Sequence, residues 1–326
     1  MRLLLFHAVN DCGLRETTAQ AREAGISDMS YVALLKRLRT SADWLSWICS
    51  GLCEELREGL RLPESMRVRA VDSTTVQGPA SKGTDWRVHY SLDLKTLTCD
   101  WLELTDAHGG ELLERTPMQK GDVMLTDRGY CRPRDLRAAV KAEAHVVTRL
   151  RWKHAGMLDS NEQKFGALAH ARTLKVGEIG EWEVTLNDPD GEPITGRVII
   201  TKLPAPIAAK AERKKAKKYK KKGKKLDART LEAAHYVMLF TTLPKELLAA
   251  EDVLELYRFR WQIELAFKRL KQLLNLGQVP HKDPRAAKTW ILAKLAISLL
   301  LETLYRNASA FFPWGFSFRA LAPQPA

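Results

Sequence analysis

The 326-residue chain predicts an α/β protein: a mixed sheet preceded by a helical N-terminal domain and interrupted by a β-rich insertion. Three observations lead there. Residues 1–66 keep a helical spacing of apolar positions, and from Met66 the period becomes strand-like. Residues 251–277 then return to a helical period with no proline inside and a glycine as a stop. The length suits about two domains, or one domain carrying an insertion.

In order along the chain, Met1 enters an apolar run (LLLFHAV) with no capping residue before it, the pattern expected of a domain that starts further upstream. LRETTAQAREAGISDMSYVALLKRLR reads as two short helices joined at Ala24-Gly25, with Ser27 or Asp28 capping the second. A helix-turn-helix with Lys36, Arg37 and Arg39 near phosphates and an ordinary αα-hairpin both fit. RVRAVDSTTV, WRVHYSLDL and TLTCDWLELTDA read as three strands. VMLTDRGY is a short buried strand with Asp127 at its exit, Arg132 to Ala142 a helix, and HVVTRLR a further strand. Antiparallel strands followed by strand–helix–strand give a sheet of mixed direction.

TLKVGEI, EWEVTLN and GRVIITKL read as strands of the insertion, with the turn NDPDGE between the last two. The lysine-rich AKAERKKAKKYKKKGKK follows, as an exposed helix or an arm ordered by a partner. HYVMLFTTL is a buried strand that delivers the chain to the helix at 251–277, and Trp290 to Tyr305 is an apolar core helix. The domain boundaries expected are 1–65 (helical), 66–151 (core, first part), 152–229 (insertion with lysine arm), 230–280 (core, second part) and 281–326 (C-terminal helix and tail).

The net charge is +13, and it is local: residues 201–229 hold thirteen Lys/Arg against two acids. Such a patch favours a polyanion, most simply double-stranded DNA, although a solubilising lysine tract has the same composition. The five cysteines (Cys12, Cys49, Cys53, Cys99, Cys131) form no CxxC pair and suit reduced thiols in a cytoplasm. The first residues lack a signal peptide's length and cleavage site, and the apolar helix at 290–305 is broken by Lys294, Ser298 and Glu302, which excludes a membrane span.

Chemistry concentrates in three places. At about 100° per residue, with Tyr257 at zero, Arg260, Glu264 and Lys271 share its strip about 60° wide. Leu256, Phe259, Ile263, Ala266, Phe267, Leu270, Leu273 and Leu274 fill the neighbouring core-facing arc. A carboxylate flanked by phosphate-binding cations suits metal-dependent phosphoryl transfer; a solvated edge of Glu–Lys pairs gives the same stripe. Asp72 and Asp127 each lie in or at the end of an apolar strand, where an unpaired carboxylate is costly without a cation. Three converging carboxylates make a hard-oxygen site suited to Mg²⁺ or Mn²⁺.

The spacing Tyr257–x2–Arg260–x3–Glu264–x6–Lys271 resembles the Y-R-E-K signature of bacterial insertion-sequence transposases of the insertion-sequence-4 type. Asp72 in VDSTTV and Asp127 in TDRGY look like the first two acids of their DDE triad, and the resemblance spans about residues 66–277. It implies a ribonuclease-H-like core that binds two divalent ions, cuts transposon ends and joins the 3′-hydroxyl to target DNA. Asp72, Asp127 and Glu264 would be the catalytic metal ligands, and Tyr257, Arg260 and Lys271 would hold DNA phosphates with help from Arg128 and Tyr130. In relatives with this insertion a tryptophan stacks on a flipped base; Trp182 is the first candidate here and Trp152 the second. Lys217, Lys218 and Lys221 would contact phosphates from the lysine arm. A homodimer in the synaptic complex and action at the nucleoid in the cytoplasm are further implications. Both ends are shorter than usual in that family, so two other products remain in view: an idle DNA-binding inhibitor of transposition, and a ribonuclease-H-like nuclease without a joining step.

Overall fold

The computed structural model describes residues 1–10, 12–49, 66–153, 156–187, 191–221, 223 and 225–311. The first strands follow the expected segments: β1 (Val68–Val76), β2 (Trp86–Asp93), β3 (Thr98–Asp106), β4 (Val123–Thr126) and β5 (His145–Arg149). Then come β6 (Met157–Leu158), β7 (Ile179–Leu186), β8 (Ile194–Lys202) and β9 (Tyr236–Thr241). All nine form one sheet in the order β3-β2-β1-β4-β5-β9-β8-β7-β6. β1, β2 and β3 are antiparallel, and β4 and β5 run parallel to β1. This 3-2-1-4-5 half is the ribonuclease-H-like arrangement. From β5 onward every pairing is antiparallel, so the insertion's strands continue the same sheet.

The helices are α1 (Arg2–Asn10), α2 (Leu14–Glu23), α3 (Tyr31–Thr40), α4 (Pro133–Lys141) and α5 (Ala167–Thr173). They continue with α6 (Ala205–Lys221), α7 (Ala228–Glu232), α8 (Ala250–Arg258), α9 (Trp261–Gln272) and α10 (Pro284–Phe311). On one side of the sheet α9 and α10 bury Ile263, Phe267, Trp290 and Ile291 with Val88, Tyr90 and Leu92 of β2. On the other, Leu136 and Ala139 of α4 and Ala171 of α5 pack with Met124, Val146 and Val198. The lysine tract is helical through Lys221, and α10 carries the apolar run at 290–305. Among the described residues no helix is long and apolar enough to cross a membrane. Cys49, Cys99 and Cys131 are buried and Cys12 partly so; Cys53, the tail from residue 312 and part of NDPDGE lie outside the described residues.

Beneath the sheet's centre an ion network sets the position of β1. Arg69, 1% exposed, donates to both oxygens of Asp100 at 2.6 and 3.0 Å, to the Pro117 carbonyl at 2.6 Å and to Asp122 at 3.3 Å. A buried guanidinium is tolerated because every direction it points in holds an oxygen.

Four expectations require correction. Residues 251–277 are two helices, α8 and α9, separated by a tight turn in which the Phe259 and Arg260 N–H groups bond Leu256 and Tyr257 three residues back. Phe259 and Leu273 are consequently exposed, at 49% and 76%, and do not face the core. Ser30, whose hydroxyl accepts from the Ala33 N–H, caps α3 in place of Ser27 or Asp28. TLKVGEI is not a strand: its first residue ends α5, Gly177 takes φ +80° and Val176 is exposed, so the run is paired only at the isolated Val176–Lys202 bridge and at Ile179, where β7 begins.

Candidate active site

The parallel pairing of β1 with β4 matches Ala70 to Leu125; two residues further on, Asp72 stands level with Asp127. Carboxyl ends of neighbouring parallel strands are where an α/β sheet opens its crevice. Asp72 accepts the Ser73 N–H at 2.8 Å. Asp127 caps the short turn Arg128–Tyr130 by accepting the Gly129 N–H, and its own carbonyl accepts from Thr148 Oγ1 at 2.8 Å. A Cβ on Gly129 would lie 3.1 Å from Asp127 Oδ1 and 3.2 Å from Glu111 Oε2, so a side chain there would have to push one of the two carboxylates aside.

Glu264, on α9, is linked to Asp72 through one side chain. Arg260 Nη2 donates to Glu264 Oε1 at 2.5 Å, while its Nη1 lies 3.7 Å from Asp72 Oδ2. One guanidinium therefore spans the first and third acids. Burial raises the Asp72 pKa to about 6; the Asp127 and Glu111 charges push the same way, against the Ser73 N–H and Arg260. Among the described residues no three His, Cys, Asp or Glu side chains stand close enough to hold an ion, and Arg260 contacts both Asp72 and Glu264.

The break between α8 and α9 explains this placement. Tyr257 is turned inward and donates its hydroxyl to the Thr126 carbonyl at 2.9 Å, one residue before Asp127. Its phenol is committed to the end of β4, so the four signature residues are not one solvent-facing row. Lys271, two turns beyond Glu264 on α9, is half-buried, and burial lowers its pKa. Tyr130 is buried beside Asp72, Glu111 and Asp127, and its pKa is raised by burial first. Arg128 is largely buried with an unpartnered Nε; burial and the Arg149 charge lower its pKa.

In the insertion, Trp182 lies on β7 beside its own aromatic neighbours, with ring centroids 5.1 Å from His170 and 6.0 Å from Phe165. Trp152 sits under Lys153, 5.3 Å from its ring. Lys217, Lys218 and Lys221 are exposed on α6.

Three residues near the acids were missed in the sequence. Glu111 accepts from Ser73 Oγ at 2.7 Å and from Arg87 at 2.6 Å, and it sits in a loop that carries no periodic signal. Arg149 ends β5 one step past the Thr126–Thr148 pairing, level with Asp127. A cation at the exit of the next parallel strand was a readable signal. Lys215, inside the lysine tract, had none.

Residues 63–301 match the family model described as Transposase DDE domain. The chain is 34% identical over 318 residues to the putative transposase InsL for insertion sequence element IS186A of Escherichia coli K12, covering 96% of this chain and 86% of that one. It is 35% identical over 305 residues to the transposase for insertion sequence element IS421 of Escherichia coli, covering 92% and 82%. Among solved structures, the piggyBac transposase synaptic complex with hairpin DNA aligns with a TM-score of 0.49 and 10% identity, covering 95% of this chain and 65% of that one. On the family match and these two relatives, the chain belongs to the DDE transposases of bacterial insertion sequences.

Proposed function

We propose that this transposase cuts double-stranded DNA at the ends of its insertion sequence and joins the freed 3′-hydroxyl to target DNA, with Asp72, Asp127 and Glu264 as its catalytic carboxylates. The observation that carries the reading is the level placement of Asp72 and Asp127 with Glu264 bridged to Asp72 through Arg260.

Family membership implies divalent metal dependence, and the donor set fits it. The carboxylates outnumber the cation between them, and burial first, with the Asp127 and Glu111 charges, makes Asp72 reluctant to ionise. Only hard oxygen donors are gathered there, which suits Mg²⁺ or Mn²⁺. Asp72, Asp127 and Glu264 would hold two such ions, which when bound activate the attacking oxygen and stabilise the leaving 3′-oxygen. The chain's own residues do the rest. Arg260 exchanges Glu264 for a DNA phosphate, freeing that carboxylate. Tyr257 fixes the end of β4 and with it Asp127. Lys271 and Arg128 hold phosphates on either side, with Tyr130 packing beneath, and the exposed Lys217, Lys218 and Lys221 contact the flanking duplex. Two copies would pair in the synaptic complex, acting on the nucleoid in the cytoplasm, and Trp182 would stack on a displaced base.

Asp72→Asn, Asp127→Asn and Glu264→Gln are each expected to reduce Mn²⁺-dependent nicking of an end-containing duplex to background while leaving duplex affinity close to wild type. Full cleavage by Glu264→Gln would overturn the assignment.

A further inference from the structure

The lysine helix does not present a uniform charged surface. At about 100° per residue, Ala208, Glu212, Lys215 and Tyr219 share an inward strip about 60° wide, and Lys217 and Lys221 fall on the far side. Burial follows that wheel: Ala208 is buried and Glu212, Lys215 and Tyr219 are half-buried, while every other lysine of α6 is exposed. A lysine turned inward needs a reason, since its ammonium loses water there.

What Lys215 meets is more positive charge. The cations that act on it are Arg128, Arg149, Lys153 and Lys218, and burial together with these lowers its pKa to about 8. Lys153 is already paired, with Asp227 at 2.7 Å. Among the described residues no ion pair is formed by Arg128, Arg149, Lys215 or Lys218, and the Arg128 Nε is buried with no hydrogen-bond partner. Arg128 follows Asp127 directly, and Arg149 is level with it on β5. Arg128, Arg149 and Lys215 thus gather positive charge that forms no ion pair of its own at the rim of the carboxylate site, and a bound anion would offset their mutual repulsion.

We propose that Lys215 is a positioning residue: with Arg128 and Arg149 it seats one backbone phosphate of the DNA beside Asp127, so that the insertion's helix closes one wall of the catalytic crevice. The reading rests on the transposase function proposed above. Binding the phosphate neutralises the cluster and lets Lys215 take up a proton, so DNA affinity carries a pH dependence that belongs to this side chain.

The test measures binding of a fluorescent end-containing duplex to the full chain in EDTA, where no cleavage occurs, across salt and between about pH 7 and 9. Wild type is expected to lose several-fold in affinity as pH rises through that range. Lys215→Gln should bind more weakly at pH 7, lose that pH dependence and show a salt slope shallower by about 1. Lys215→Arg should keep the wild-type pH 7 affinity with a flat pH profile, because its charge does not titrate. Wild-type affinity and pH profile in Lys215→Gln, or equal weakening in Lys215→Arg, would overturn the proposal. Since Asp72→Asn abolishes nicking without touching this measurement, a failure here leaves the carboxylate assignment standing, and the reverse also holds.

Discussion

Arg260 is bound to Glu264 at 2.5 Å and lies 3.7 Å from Asp72, so it competes with any ion for these two carboxylates. Its replacement by Gln is expected to tighten Mn²⁺ binding to the DNA-free protein, read by titration calorimetry, while lowering the cleavage rate because the phosphate contact is lost. Unchanged Mn²⁺ affinity would show that the pair does not compete with metal. The Asp72 carboxyl offers a second test. Its folded pKa of about 6 lies above the usual carboxylate value, so between those pH values the folded chain binds more protons than the unfolded one. Metal-free stability should therefore fall as pH rises from about 4 to 6, by on the order of 2–3 kcal/mol, and stay low above that window. Asp72→Asn should flatten the curve and be the more stable protein at neutral pH without metal, as followed by urea denaturation. Both acids were legible in the sequence because a charge inside a β-branched run stands out. Glu111 was not, because a loop acid bonded to Ser73 and Arg87 looks like any surface glutamate until the chain is folded.

At the scale of elements, strands with clear period-two or continuous apolar runs were readable, and β1, β2, β4, β5, β8 and β9 lie where those runs are. The turn at Phe259–Arg260 was not, since neither residue disfavours helix. Tertiary contacts bend it: Tyr257 is tied to the Thr126 carbonyl and Arg260 reaches Asp72, demands that one straight rod does not meet. TLKVGEI failed for the converse reason, an alternation that pairs with β8 only at Val176 and Ile179 because the chain turns at Gly177. The Arg69 network also spans elements, joining β1 to β3 and to the loop before β4. Asp100→Ala leaves that guanidinium buried without its two-oxygen partner and should cost about 3–5 kcal/mol in urea denaturation, enough to disturb the strand that carries Asp72. A loss under about 1 kcal/mol would mean the remaining Pro117 and Asp122 contacts suffice.

For the whole molecule, the charge excess is concentrated in one stretch, and the fold brings Lys215 of that stretch within electrostatic reach of Arg128, which follows Asp127. The composition of residues 201–229 pointed to a polyanion but not to a division of labour along the helix, because which lysine turns inward depends on where α6 docks. Neutralising Lys217 and Lys221 together should make the salt slope of duplex binding shallower by about 1–2 with no change in its pH profile, unlike Lys215→Gln. The continuity of the nine-stranded sheet has a different consequence. β9 is held between β5 and β8, so a shortened enzyme lacking residues 152–229 would bare the hydrogen-bonding side of a strand whose residues 238–241 are all buried. Such an exposed edge invites pairing between copies, and a miniaturised form would precipitate before its chemistry was tested.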